Sequence, residues 1–260
     1  MEQVRPKKQL GQHFLTDLEI AENITKSVKG HQGVTKVLEI GPGMGVLTDF
    51  LIAQDWDLFL LDIDSESVQY LNKKYPKLKE KIIQADYLKF NVGEVIEGKY
   101  IVAGNFPYNI SSQIFFKILP ERDKVVEVVC MLQKEVAMRL ASPKGKKDYG
   151  ILSVLLQAFY DIEFLFEVPP EVFNPPPKVK SGVIRLVRNE VQNLDCDEKL
   201  FFRVVKQAFS TRRKTLRNAL KSMGLSEGMK THPILDKRAE QLGVEEFVQL
   251  TNKLQESWKQ

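Results

Sequence analysis

The tetrapeptide Asn105-Phe106-Pro107-Tyr108 holds the groups needed to alkylate a weak nitrogen nucleophile. The exocyclic amine of adenine is such a nucleophile, because its lone pair is delocalised into the ring. A site acting on it must hold the NH2 with acceptors and keep the base flat. The Asn105 side-chain oxygen and the Phe106 backbone carbonyl can accept the two N–H bonds, Pro107 stiffens the turn, and Tyr108 offers a stacking face. No strong general base is needed if the donor carries an activated leaving group. The plain alternative is an asparagine–proline turn beside a core tyrosine.

Upstream, Glu39-Ile40 runs into Gly41-Pro42-Gly43-Met44-Gly45, a strand feeding a glycine turn that opens a helix. Without Cβ atoms, such a turn lets a ligand lie against the main chain. Asp62 follows Gly41 by 21 residues, where a carboxylate can accept from both hydroxyls of a ribose. Asp86, ending the next strand, suits an adenine amino group, and Asp64 reads as a solvent-facing or helix-capping acid. Three strand ends in register point to an adenosine-containing cofactor, the alternative being a tight turn without a ligand. The glycines do not follow the nicotinamide spacing G-x-G-x-x-G, and a pyrophosphate wants the helix N-terminus free of nearby negative charge. Glu39 suits a cation instead, so S-adenosylmethionine, with its sulfonium and ammonium, is the expected cofactor.

The elements that must position these groups recur at βαβ spacing. Apolar or β-branched runs at 37–40, 58–61, 82–85 and 100–103 alternate with helical stretches at 45–54 and 65–75, which predicts a mostly parallel sheet covered on both faces. Runs at 125–132, 162–168 and 183–187 extend it to seven strands. The segment 142–150 is basic and turn-rich and reads as a mobile surface loop. Prolines at 169, 170 and 175–177 flank Phe173 in an extended, stiff stretch. Beyond residue 197 the spacing is helical throughout, with three or four short helices. A boundary near 190 is expected, giving domains of 1–190 and 191–260.

Of 260 residues, 43% are hydrophobic and 28% charged, ordinary values for a globular protein. Cys130 and Cys196 lie far apart and the three histidines are scattered, so neither a disulfide framework nor a metal site is expected. No run approaches the roughly 18 apolar residues of a membrane span, and the N-terminus lacks a signal-peptide core. A cytoplasmic monomer without membrane attachment is the expectation. Net charge is only +4, but from Asp197 onward 13 basic residues face 8 acidic ones.

Several motifs run in order along the chain: Gly11-Gln12-His13-Phe14-Leu15, the glycine turn from Glu39 to Gly45, Asn105-Phe106-Pro107-Tyr108-Asn109-Ile110-Ser111, Leu132-Gln133-Lys134-Glu135, Phe173-Asn174-Pro175-Pro176-Pro177-Lys178-Val179, and Phe209-Ser210-Thr211-Arg212-Arg213-Lys214-Thr215-Leu216-Arg217. Together they resemble the KsgA/RsmA family of ribosomal RNA adenine dimethyltransferases over about residues 5–220. The resemblance implies an α/β fold, a Rossmann-like class I S-adenosylmethionine-dependent methyltransferase with a small C-terminal helical domain. It also implies dimethylation at N6 of two adjacent adenosines in a hairpin loop near the 3′ end of 16S rRNA, in the small subunit or its precursor. By that likeness His13 and Leu15 line the cofactor site, Gly41 meets the methionine portion, Asp62 the ribose, Asp86 the adenine and Asn105 the reaction centre. Many members carry Glu for Asp62, Asn for His13 and Leu for Phe106.

For RNA, Arg212, Arg213, Lys214, Arg217 and Lys221 form an acid-free cluster suited to phosphates, or else a solvated helix face. Arg5, Lys7 and Lys8 form a second cluster, and Lys144, Lys146 and Lys147 a third. Phe173 is a candidate second face for the target base, opposite Tyr108, or an apolar anchor beneath the prolines. Rival readings are an antibiotic-resistance methyltransferase acting on 23S rRNA, an assembly factor whose methylation is secondary, and a nicotinamide dehydrogenase.

Overall fold

The computed structural model describes residues 4–211 and 213–258. Seven strands make one sheet: β1 Lys36–Ile40, β2 Asp57–Asp62, β3 Ile82–Gln84, β4 Tyr100–Asn105, β5 Val125–Gln133, β6 Tyr160–Val168 and β7 Ser181–Arg188. Their order is β3-β2-β1-β4-β5-β7-β6. The first five are parallel, and β7 runs antiparallel to β5. Parallel strands are buried on both faces and therefore read as continuous apolar runs. From Val125 to Leu132 every residue of β5 is buried.

Three helices carry the turns that matter for the site. Helix α1, Leu18–Lys26, is capped by Asp17, whose side chain accepts from the Ile20 N–H. Helix α2, Val46–Ala53, leaves the glycine turn, and α3, Ser65–Lys74, is capped by Asp64. A ribbon absent from the sequence reading pairs Phe14–Leu15 with Phe173–Asn174, antiparallel. Its two-residue strands are too short to show periodicity.

The chain divides into two compact units, Met1–Ala137 with Asp161–Arg188, and Met138–Tyr160 with Asn189–Gln260. The single boundary expected near 190 is thus corrected: residues 138–160 belong with the C-terminal helices. Periodicity cannot reveal this, since apolar contact across a long sequence separation decides it. In the second unit Phe201, Val204 and Val205 are buried, as are Phe247, Leu250 and Leu254. The segment expected to be a mobile loop is pinned there. The Gly145 N–H donates to the Glu240 carbonyl at 2.6 Å, Lys144 pairs with Glu246 at 2.7 Å, and Tyr149 is 1% exposed. Among the described residues no helix is long and apolar enough to cross a membrane.

Two devices at the sheet bring the site together. At Gly104, with φ +156°, an added Cβ would lie 2.4 Å from the Ile40 carbonyl oxygen. Only glycine lets the end of β4 approach the end of β1 so closely. Glu127, fully buried on β5, accepts from the Lys29 and His31 N–H groups at 3.0 and 2.9 Å and from Arg185 Nε at 2.7 Å. Sequence gave no sign of it beyond an acid inside an apolar run. Glu127→Ala leaves two amides and a guanidinium without their acceptor, so urea unfolding should show a loss of about 3 kcal/mol. An unchanged midpoint would contradict this role.

Candidate active site

The turn after β1 continues the sheet's pairing, with the Gly41 N–H donating to the Leu61 carbonyl at 2.9 Å. Its glycines have positive φ but different surroundings. A Cβ on Gly45 would lie 2.4 Å from Tyr75 Oη, and one on Gly43 2.8 Å from the Phe14 ring. At Gly41 an added Cβ would make only ordinary contacts, with the Asn105 carbonyl oxygen at 3.9 Å and Pro107 Cδ at 4.0 Å, so this glycine is not crowded like the other two. Gly41 and Gly43 line a cleft enclosing about 980 Å³, its open mouth included. Gly45 does not line it; its expected place among the cofactor contacts is corrected to a packing role, its carbonyl accepting from Tyr75 Oη at 2.9 Å.

The acids sort by environment. Asp62, at the end of β2, accepts from the Gly43 N–H at 3.1 Å and the Asp64 N–H at 2.9 Å. Burial raises its pKa and the backbone hydrogen bonds oppose that rise. It lines the cleft and clamps the glycine turn to the second strand. Glu39 is fully buried beneath the turn, where burial pushes its carboxyl up to about 8 despite a 2.7 Å hydrogen bond donated by Thr48 Oγ1. The acid expected to supply negative charge is therefore largely neutral at pH 7 in the unliganded chain.

Asp86 lies two residues beyond β3, its side chain accepting from the Leu88 N–H at 3.0 Å. The cleft is lined there by its neighbours Ala85 and Tyr87 rather than by Asp86 itself. Asp64, set aside in the sequence reading, proves structural. Lys7 pairs with it, and Gln12 Nε2 donates at 3.1 Å. Burial alone would raise its pKa, but the Lys7 and Gln12 bonds outweigh this and hold it below the usual carboxylate range. Asp64 thereby ties the N-terminal segment to α3.

That segment supplies one wall of the cleft, including His13, Phe14 and Leu15. Asn105, ending β4, donates from Nδ2 to the His13 carbonyl at 3.0 Å. Its Oδ1 and the Phe106 carbonyl have no partner among the described residues, which leaves two acceptors at the cleft. The Phe106 ring is fully buried against Phe115, so it anchors the turn while its carbonyl stays available. Pro107 also lines the cleft. Tyr108 is stacked on His13, ring centroids 5.5 Å apart at 25°, and its hydroxyl bonds Ser181 Oγ at 2.5 Å. His13 Nδ1 in turn meets the Pro175 carbonyl at 2.7 Å.

Phe173 is corrected. It is 4% exposed and belongs to the apolar core with Leu15, so it is the anchor and not a stacking face. The ring beside Tyr108 is His13, brought there by the ribbon.

In the helical unit Arg213, Lys214 and Lys221 are exposed. Arg217 is engaged with Asp236 of the same unit in an exposed ion pair, Nη2 to Oδ1 at 2.5 Å. Arg212 lies outside the described residues.

The strand order, the antiparallel pairing of β7 with β5 and a glycine turn opening onto an acid at the end of β2 define a class I methyltransferase. The chain matches the family described as "Ribosomal RNA adenine dimethylase" over residues 3–256 and belongs to it. It is 56% identical to "Ribosomal RNA small subunit methyltransferase A" of Cytophaga hutchinsonii, covering 98% of this chain and 99% of that one. The protein of the same name from Flavobacterium johnsoniae is 57% identical, with 98% of each covered. Among solved structures, a dimethyladenosine transferase from Plasmodium falciparum shares the fold at TM-score 0.77 and 24% identity, covering 95% of this chain and 98% of that one. The 23S rRNA methyltransferase ErmE does so at 0.63 and 23%, covering 93% and 99%.

Glu39 makes stability depend on pH. The unfolded chain loses this proton near 4.5 and the native chain near 8, so between those values the native state holds the extra proton and stability falls as pH rises. Glu39→Gln should raise the melting temperature of the unliganded protein at pH 8 and flatten its pH profile between 4.5 and 8. An unaltered profile would remove Glu39 as the cause.

Proposed function

We propose that the protein transfers methyl groups from S-adenosylmethionine to N6 of two adjacent adenosines in the hairpin loop near the 3′ end of 16S rRNA, during small-subunit biogenesis. The observation that carries this is the orientation of Asn105: its NH2 is engaged by the His13 carbonyl, so its oxygen remains as an acceptor beside the Phe106 carbonyl. Two acceptors match the two N–H bonds of an exocyclic amine. The names borne by relatives above half identity favour the small subunit over the large one.

The cleft fits S-adenosylmethionine. Bare backbone at Gly41 admits close approach, Asp62 offers its carboxylate to a ribose, and Glu39 can become an anion beneath a cationic ligand. When bound, the cofactor supplies a methyl group already activated on a sulfonium. Asn105 and Phe106 hold the amine with its lone pair turned from the ring, raising its nucleophilicity in the transition state. Tyr108 keeps the base flat, and its fixed hydroxyl limits ring rotation. Solvent can take the departing proton, because an N-methylated ammonium on adenine is strongly acidic. The exposed Arg213, Lys214 and Lys221 of the helical unit are assigned to RNA phosphates, which would add sequence-independent affinity.

Asn105→Ala should lower kcat for methylation of undermethylated small subunits at least a hundredfold, roughly the cost of one oriented transition-state acceptor, with cofactor affinity nearly retained. Undiminished turnover would sink the assignment. Asp62→Ala should weaken S-adenosylmethionine binding in calorimetry by tenfold or more, and an unchanged Kd would remove Asp62 from the ribose. Offering both ribosomal subunits as acceptors separates this reading from 23S methylation.

A further inference from the structure

A second cavity adjoins the cleft, and Phe14 and Met44 line both. Arg5, Gln69, Tyr70, Lys73 and Asn174 complete its working surface, which is an open groove between the N-terminal segment and α3. The charge balance within it is one-sided. Among the described residues its one lining acid, Glu66, pairs at 3.0 Å with Lys7, which it shares with Asp64, so Arg5 and Lys73 leave the groove with a positive excess. Arg5 and Lys73 are exposed and have no partner among the described residues.

The ribbon links this groove to the reaction centre. Phe14 pairs with Asn174, and the next residue, Pro175, receives the ring nitrogen of His13, which stacks on Tyr108. The groove and the cleft that holds Asn105 therefore share a wall at Phe14 and Met44. Unpaired cations along the rim with aromatic faces at Tyr70 and Phe14 are the composition that tracks a single-stranded polyanion. Enclosure of a small anion would call for buried donors, and none of the described polar side chains lining the groove is buried.

We propose that this groove seats unpaired nucleotides flanking the target adenosine, with Arg5 and Lys73 on phosphates and Tyr70 on a base. The proposal rests on the RNA-methylating reading above and adds to it a recognition surface on the catalytic unit, separate from the basic residues of the helical unit.

The test uses the full chain, undermethylated small subunits as substrate and a labelled twelve-nucleotide single-stranded oligoribonucleotide as binding probe. Arg5→Ala with Lys73→Ala should raise KM for subunits about tenfold with a smaller effect on kcat. The slope of log affinity against log salt for the oligonucleotide should shrink by about 1.4, two phosphates at about 0.7 each. Tyr70→Ala should weaken oligonucleotide binding roughly tenfold without altering the slope. S-adenosylmethionine affinity should be unchanged in both, which verifies the fold. An unchanged KM and slope would overturn the proposal. So would an equal loss of binding to a duplex RNA with KM unaffected, since that is general attraction. Wild-type protein that leaves subunits unmethylated would strike the proposed function, while the oligonucleotide slope would still decide the groove.

Discussion

One hydrogen bond sets the orientation of the Asn105 amide at the cleft, from Nδ2 to the His13 carbonyl. An amide presents a donor at one end and an acceptor at the other, and this bond decides which end faces the cleft. It works only because three separate stretches of chain meet there. Gly104 lets β4 press against β1, the Phe14–Leu15 ribbon holds His13 in place, and Asp64 secures the N-terminal segment through Lys7 and Gln12. Weaken any of these and the acceptor loses its aim before any chemistry is touched.

The acids show how burial assigns roles that residue type alone leaves open. Asp62 both lines the cleft and ties the glycine turn through two backbone amides. Burial favours the neutral form of Glu39 beneath the glycine turn. Asp64 keeps its charge because Lys7 and Gln12 satisfy it. Glu127 accepts hydrogen bonds from two amides and from Arg185, which joins β5 to β7 and to the segment after α1.

The cations assigned to RNA in the proposed reading occur in each unit. The exposed cations Arg213, Lys214 and Lys221 sit in the helical unit, and Arg5 and Lys73 border the groove on the catalytic one. Arg217 illustrates the limit of counting charges: it lies in the same basic run but is occupied by Asp236.

Local information in the sequence determined the seven strands, the glycine turn and the Asn105–Tyr108 turn, because each depends on neighbours within a few residues and leaves a periodic or conformational signature. Asp62 was legible for the same reason, standing where the second strand ends. Long-range contact decided the rest. Phe173 could stack or anchor, and only packing against the core that includes Leu15 made it an anchor. Gly45 looked like Gly41 until Tyr75 filled the space beside it. The partner of Tyr108 was His13, 95 residues away, and residues 138–160 joined helices that follow them by some 40 positions. Tertiary structure settles such matters because burial and hydrogen-bond satisfaction depend on what arrives from elsewhere in the chain, and no local pattern encodes that arrival.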